Sequence, residues 1–268
     1  MAVQLTAHNA AATIVELLGV PVRAETVDGF LAGDPSTPVT GIVTTMMATV
    51  DVLERAVTYG ANLVVTHEPA FWDHQNAAIG ALAAEQDQVY ERKLRFIDDH
   101  GLVIWRVHDA MHDMRPDLVD AGTLKQLGWP VPDEYPAVVD IDPVRLADLV
   151  SYAAKKLGAS AARCIGQPDL RVSGVGLALG FRGSDNVRHL LQDPRVDAVL
   201  IGEAHEWEVG AYTADAVTLG LRKALIVLGH IPSEQYGMAE LATIIRGRLS
   251  DVPVTFVPCR DPYSTLSS

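Results

Sequence analysis

Three short stretches of this chain combine histidine with carboxylates, and each directly follows an apolar run. Thr66-His67-Glu68-Pro69 follows residues 62–65. His108-Asp109-Ala110-Met111-His112-Asp113 follows residues 102–107, and Gly229-His230-Ile231-Pro232-Ser233-Glu234 follows residues 224–228. Neutral imidazole and carboxylate together suit zinc, iron, manganese or nickel. A carboxylate such as Glu234 can bridge two such ions about 3.5–4 Å apart. A single histidine after a strand is ordinarily a hydrogen-bonded turn residue. Three such places in one chain point to a shared cation site. The opposite expectation, a metal-free domain with the clusters scattered, is separated from this one by metal analysis.

The clusters need elements that bring them together. In parallel α/β sheets the carboxyl ends of the strands form the ligand crevice, so each apolar run is read as a strand delivering its histidines there. Residues 62–66, bounded by Gly60 and Pro69, read as a buried parallel strand. Further strands are expected over 40–45, 102–107, 172–179, 198–201, 224–228 and 254–257. Helices are expected over 50–59, 142–157, 187–191, 207–219 and 233–248, with one long helical stretch over 77–100. This alternation predicts an α/β fold with mixed sheets flanked by helices. Gly128, Pro130, Pro132 and Pro136 look like a connector. On that basis two α/β domains are expected, the second inserted in the first: a metal-binding domain from 1–130 plus 201–268, and an insert over 131–200.

Composition excludes several classes. The 268 residues are 49% hydrophobic, enough for a sizeable core and against disorder. The net charge of −13 comes without a basic stripe, since Arg222-Lys223 is too short to count; a nucleic-acid partner is therefore not expected. No apolar run approaches the roughly 20 residues of a membrane span, so no membrane partner is expected. Residues 1–20 lack a basic leader and read as an amphipathic helix, with Ile14, Leu17 and Leu18 on one face. Two isolated cysteines, Cys164 and Cys259, suggest a reducing, cytoplasmic setting and are too few for a thiolate zinc site.

Longer motifs carry a resemblance. Val39-Thr40-Gly41-Ile42, Leu53-Glu54-Arg55-Ala56 and Gly60-Ala61-Asn62-Leu63-Val64-Val65-Thr66-His67-Glu68-Pro69 resemble the first signature of the Nif-three-like family, also known as GTP cyclohydrolase 1 type 2 homologues or dinuclear-metal hexameric proteins. Ile201-Gly202-Glu203, followed by Gly229-His230 and Ser233-Glu234, resembles the second signature. The resemblance covers about residues 10 to 260. It implies two divalent metal ions per subunit (zinc, iron, manganese or nickel) on His67, Glu68, His112, His230 and Glu234. His67 and His112 would serve one ion, Glu68 and His230 the other, with Glu234 between them.

Two of these positions depart from the family pattern. The first signature usually ends in two adjacent histidines, and here the second is Glu68. The middle ligand is usually an aspartate four residues after a histidine, and here that position is His112, four after His108. Asp109 or Asp113 is the alternative ligand at that place.

Other residues have expected roles around the ions. His108 is a candidate catalytic group, as proton shuttle or as support for a ligand. Glu203, in the Gly-Glu pair of the second signature, is a candidate catalytic group that orients a ligand histidine or a water. Glu203, His205, Glu206 and Glu208 read equally well as a solvated helix start. Asp73 and His74 belong to a rim loop with a structural role, and Trp105, Trp129 and Trp207 to core or interface. Gly174 and Gly176 are not followed by a full dinucleotide fingerprint.

Two functions from different classes follow. One is a metal-dependent hydrolase acting on a small-molecule substrate with a metal-activated water. The alternative is a non-catalytic metal-binding or protein-interaction scaffold. The resemblance further implies a homo-oligomer, specifically a homohexamer.

Overall fold

The computed structural model describes residues 4–132 and 138–264. In chain order the elements are α1 (Ala7–Leu18), β1 (Gly29–Ala32), β2 (Ile42–Thr45), α2 (Val50–Thr58), β3 (Leu63–Thr66), α3 (Ile79–Ala84), α4 (Gln88–Asp99), β4 (Val103–Arg106), α5 (Asp109–Asp113) and α6 (Leu118–Leu127). They continue as β5 (Val138–Arg145), α7 (Leu146–Leu157), β6 (Arg163–Ile165), β7 (Arg171–Ala178), α8 (Ser184–Gln192), β8 (Ala198–Ile201), a π-helical turn (Glu206–Gly210), α9 (Ala211–Thr218), β9 (Ala224–Val227), α10 (His230–Arg248) and β10 (Val254–Phe256).

The chain forms two compact units, Met1–Leu118 with Met238–Cys259, and Val119–Gly237 with Arg260–Ser268. The mixed α/β class holds in both. The first unit's sheet runs β1-β4-β3-β2-β10. Its four strands from β4 to β10 are parallel, and β1 closes the β4 edge antiparallel. Central strands β2 and β3 are buried on both faces, which is why Ile42-Val43 and Leu63-Val64-Val65 read as continuous β-branched or apolar runs without alternation. Helices α2 and α4 start where a side chain takes up free amides: the Thr49 hydroxyl accepts from Val52 N–H ahead of α2, and Asp87 accepts from Val89 and Tyr90 ahead of α4.

The second unit's sheet runs β5-β7-β8-β9-β6, with β7, β8 and β9 parallel and the two edge strands antiparallel. Here the period-2 rule separates two cores. Ala198, Leu200, Ala224, Ile226 and Leu228 face one side with Leu146, Leu149, Ala153 and Leu157 of α7. Val199, Ile201 and Leu225 face the other with Val187, Leu190 and Leu191 of α8.

The units differ from the expected domain edges at 130/131 and 200/201. Leu124 and Leu127 of α6 are buried in the second unit's core, and β9 is hydrogen-bonded to β8 within its sheet. Gly128, Pro130 and Pro132 thus lie inside one unit, after α6. Pro136, the last of the expected connector residues, lies outside the described residues. Other element boundaries also differ. Residues 77–100 divide into α3 and α4, because Gln86 takes φ 54° and Asp87 restarts the helix as a cap. The helix expected over 142–157 begins only at Leu146, since Asp142 to Arg145 complete β5. The helix expected from 207 opens as the π-helical turn. Strands β1 and β6 and helix α6 carry no clear periodicity and were not expected.

Candidate metal centre

The β3–β4 register sets the first unit's site. Thr66 pairs with Arg106, so the two parallel strands end level and His67 and Val107-His108 emerge side by side. Backbone bonds continue past the ends: His67 N–H donates to Thr45 O at 3.1 Å, and Val107 N–H to Thr66 O at 2.9 Å. The short helix α5 then lifts His112 back over the same place. Its three leading amides, on His108, Asp109 and Ala110, donate to the Asp28 carboxylate at 2.6, 2.8 and 3.0 Å. A carboxylate 80 residues away in sequence thereby does the work of an N-cap.

The result is a group of three imidazoles. His67, His108 and His112 each offer one ring nitrogen, all within 4.8 Å of one another. Ring centroids lie 4.5 Å (His67–His108), 4.7 Å (His108–His112) and 5.1 Å (His67–His112) apart. Each Nδ1 faces an acceptor: Val107 O at 3.3 Å from His67, Asp109 Oδ1 at 3.1 Å from His108, and Asp117 Oδ2 at 2.9 Å from His112. Carbonyls and ionised carboxylates only accept, so Nδ1 is the donor in each ring, and in the neutral ring Nε2 bears the ligating lone pair. This is the way metal-ligating histidines are ordinarily held. Burial and the neighbouring His112 hold the His108 pKa below its ordinary value, which favours the neutral, ligating form.

Glu68 sits beside this group in a second set with His74 and His108. Its carboxylate is 3.3 Å from the Arg106 guanidinium, 3.9 Å from His74 Nδ1 and 3.9 Å from His108 Nε2. Asp109 and Asp113, the alternatives to His112, face another way. Asp113 takes two bonds from Arg23 at 2.7 Å, and Asp109 accepts from Thr26, Val27 and His108 and pairs with Arg23 at 3.1 Å. Neither joins a candidate group, whereas His112 does. His108 was expected as a supporting or shuttling residue, and it stands among the imidazoles themselves.

The second unit holds Glu203, His230 and Glu234. Strands β8 and β9 end level at Ile201 and Val227, and Gly229 N–H donates to Gly202 O at 2.9 Å, so Glu203 and His230 leave the sheet together. The His230 ring lies between two carboxylates, Nδ1 2.6 Å from Glu203 and Nε2 3.0 Å from Glu234 one helical turn on. Close approach of backbone makes room: a Cβ on Gly180, whose φ is +62°, would stand 2.1 Å from Glu234 Oε1. The remaining acids of this stretch are engaged elsewhere, Glu206 with Arg163, and Glu208 with Ser184 and His205.

Sequence reasoning missed Arg106, Asp28, Asp117 and Arg23. Arg106 did carry a signal, a charged residue inside an otherwise apolar parallel strand; Asp28 and Arg23 gain their roles only through long-range contacts, and Asp117 through the turn that brings it back to His112, five residues earlier. His74 was placed on a rim loop with a structural role, and it binds Arg106 through its carbonyl at 2.6 Å and Nδ1 at 3.0 Å.

Imidazoles oriented through Nδ1, carboxylates at neighbouring strand ends and a mixed α/β frame define a class: an α/β protein with candidate histidine–glutamate metal groups. Residues 12–262 match the family described as Duf34/NIF3 (NGG1p interacting factor 3), and the chain belongs to that family. It is similar to the GTP cyclohydrolase 1 type 2 homolog of Chlamydia pneumoniae, 26% identical over 88% of this chain and 90% of that one. Among solved structures it shares its fold with the Bacillus cereus protein related to NIF3, at a TM-score of 0.77 and 12% identity over 98% of this chain and 99% of that one. A Staphylococcus aureus protein has a TM-score of 0.75 and 16% identity over 98% of this chain and 100% of its own. Among the described residues no helix is long and apolar enough to cross a membrane.

Proposed function

We propose that the chain is a metal-dependent hydrolase that works on a small-molecule substrate with water as the nucleophile, in the cytoplasm and as a homohexamer. The observation that carries this reading is the His67–His108–His112 group with an acceptor at every Nδ1. Three imidazoles suit a catalytic zinc-like ion that keeps a position open. Bound there, a divalent ion supplies an activated water and polarises an ester or amide oxygen.

The chain's own groups prepare this chemistry. Asp109 and Asp117 each accept from the Nδ1 of one ring, of His108 and His112 respectively, and hold it in one orientation. The family resemblance implies His230 and Glu234 as further ligands, with Glu203 holding the His230 ring. Glu203, about half exposed, is suited to exchange a proton with solvent. The resemblance also gives Glu68 a ligand's role on a second ion, and that role depends on what else the carboxylate binds.

The test is elemental analysis of the purified protein, combined with a panel of phosphomonoesters, phosphodiesters, amides and purine nucleotides and repeated on Glu234→Ala. Bound transition metal and turnover of one class, with turnover lost in the variant, are expected. A folded protein that takes up no divalent metal would sink the reading. Metal without turnover of any class would favour the scaffold instead. Light scattering checks the assembly, with six times the 28.8 kDa chain mass expected.

A further inference from the structure

Arg106 is fully buried and ends a parallel strand whose other residues are apolar or aromatic. Its guanidinium donates to His67 O at 3.0 Å, to His74 O at 2.6 Å, to His74 Nδ1 at 3.0 Å and to Glu68 Oε2 at 3.3 Å. A buried charge needs a counter-charge, and Glu68 lies within ion-pair distance of Arg106. Burial lowers the Arg106 pKa, and Glu68 is the largest influence opposing it. The guanidinium remains protonated throughout the working range.

Glu68 stands where the family resemblance leads one to expect a neutral histidine. The exchange adds a negative charge, and Arg106 supplies the matching positive charge from the adjacent strand. A divalent ion ligated by the same carboxylate would meet a fixed guanidinium in a poorly screened interior. If Glu68 turned fully to the ion, Arg106 would be left buried without its partner, a costly arrangement. The imidazole group has no such conflict, because its three Nδ1 atoms face acceptors and His108 adds a nitrogen beyond the implied ligand set.

We propose that the chain binds one divalent ion, through His67, His108 and His112, and that Arg106 takes at Glu68 the place of a second ion. This rests on the metal-site reading above and narrows it. Glu68 then belongs to the wall of the site, where Arg106 fixes it, and is not a ligand. The donor set of three neutral nitrogens suits zinc or cobalt(II) ahead of calcium or magnesium.

The experiment is zinc and cobalt(II) titration of metal-stripped full-length protein, read by calorimetry and by elemental analysis after dialysis. One tightly held ion per chain is expected, with a cobalt absorption spectrum typical of four-coordinate nitrogen ligation. His108→Ala should weaken binding at least 100-fold. Glu68→Gln should leave stoichiometry at one and affinity within about threefold. Since Glu68→Gln strips Arg106 of its counter-charge, the neutral pair Glu68→Gln/Arg106→Gln serves as the second variant, with circular dichroism confirming the fold. Two ions per chain, or loss of the ion in a folded Glu68→Gln or double variant, would overturn the one-ion assignment and leave the hydrolase reading standing. Absence of any ion would overturn both.

Discussion

At the scale of single residues, the site is governed by what faces each imidazole's second nitrogen. Asp117 lies 2.9 Å from His112 Nδ1 and is itself buried, so its charge is weakly screened and fixes both tautomer and ring angle. Asp117→Asn is expected to weaken zinc binding by about 10–100-fold, the usual cost of losing such an outer partner; calorimetric titration against the unaltered chain checks it. Equal affinity in the two would show that Asp117 does not orient the ring.

Lys93 offers a second prediction at this scale. Its ammonium lies beneath the Phe71 and Trp72 rings, donates to the Ala70 carbonyl, and is almost wholly buried. Burial lowers its pKa from 10.5 to about 8. Below pH 8 the lysine is protonated in both folded and unfolded chains, so its contribution does not change with pH. Between about pH 8 and 10.5 the unfolded chain holds a proton that the folded chain has released, so stability rises with pH. The rise is on the order of 3 kcal/mol at 1.36 kcal/mol per pKa unit. Urea unfolding of the parent minus that of Lys93→Met should show this rising limb. A flat difference across that window would mean that burial does not shift the lysine.

At the scale of elements, α5 matters most. It is only five residues long and could not persist alone. Asp28 takes up its leading amides and so couples the chain before β1 to the angle of His108 and His112. Asp28→Ala is expected to cost about 1–2 kcal/mol, as loss of a good cap does, and to lower metal affinity without touching a ligand. Unfolding and zinc titration on the same sample separate the two effects; unchanged affinity would show that α5 holds its pose without the cap. Gly180 plays the equivalent part near Glu234. A methyl group there meets the carboxylate at 2.1 Å and requires a left-handed backbone that alanine disfavours. Gly180→Ala should therefore destabilise the fold by about 1–3 kcal/mol, read as a drop in the urea midpoint.

At the scale of the whole molecule, each unit has its own sheet and its own buried core. Leu63 and Ile226 are fully buried in the first and second sheets respectively. Leu63→Ala or Ile226→Ala is expected to cost about 2–5 kcal/mol through lost transfer energy and the cavity left behind. Midpoint shifts much smaller than this would mean that the surrounding core collapses into the gap.

Much of this organisation was legible in the residues. The runs ending in His67, His108 and His230 announced strands because they are apolar, β-branched and cut off by Gly or Pro. The parallel frame followed, because such strands alternated with helical periodicity. Element edges were less legible. Asp142 to Arg145 look helical by composition, yet they finish β5, where Val144 and Arg145 pair with Val172 and Arg171 of β7, since backbone hydrogen bonding to a neighbour outweighs weak local propensity. The compact units divide the chain at other places than the expected domain edges, because Gly and Pro show where a chain can turn and leave open which core the flanking residues will enter.

What the sequence by itself determined is the set of metal-suited donors, their position after strands, the α/β class and the family. Those depend on residue type and local spacing, which any stretch of chain carries with it. Only the tertiary structure decided that His108 joins the imidazole group, that Asp109 and Asp113 turn to Arg23, and that Arg106 meets Glu68. Each of these depends on strand register and on partners tens of residues away. A hydrogen bond or ion pair exists only when both groups arrive, and no local pattern encodes the second arrival.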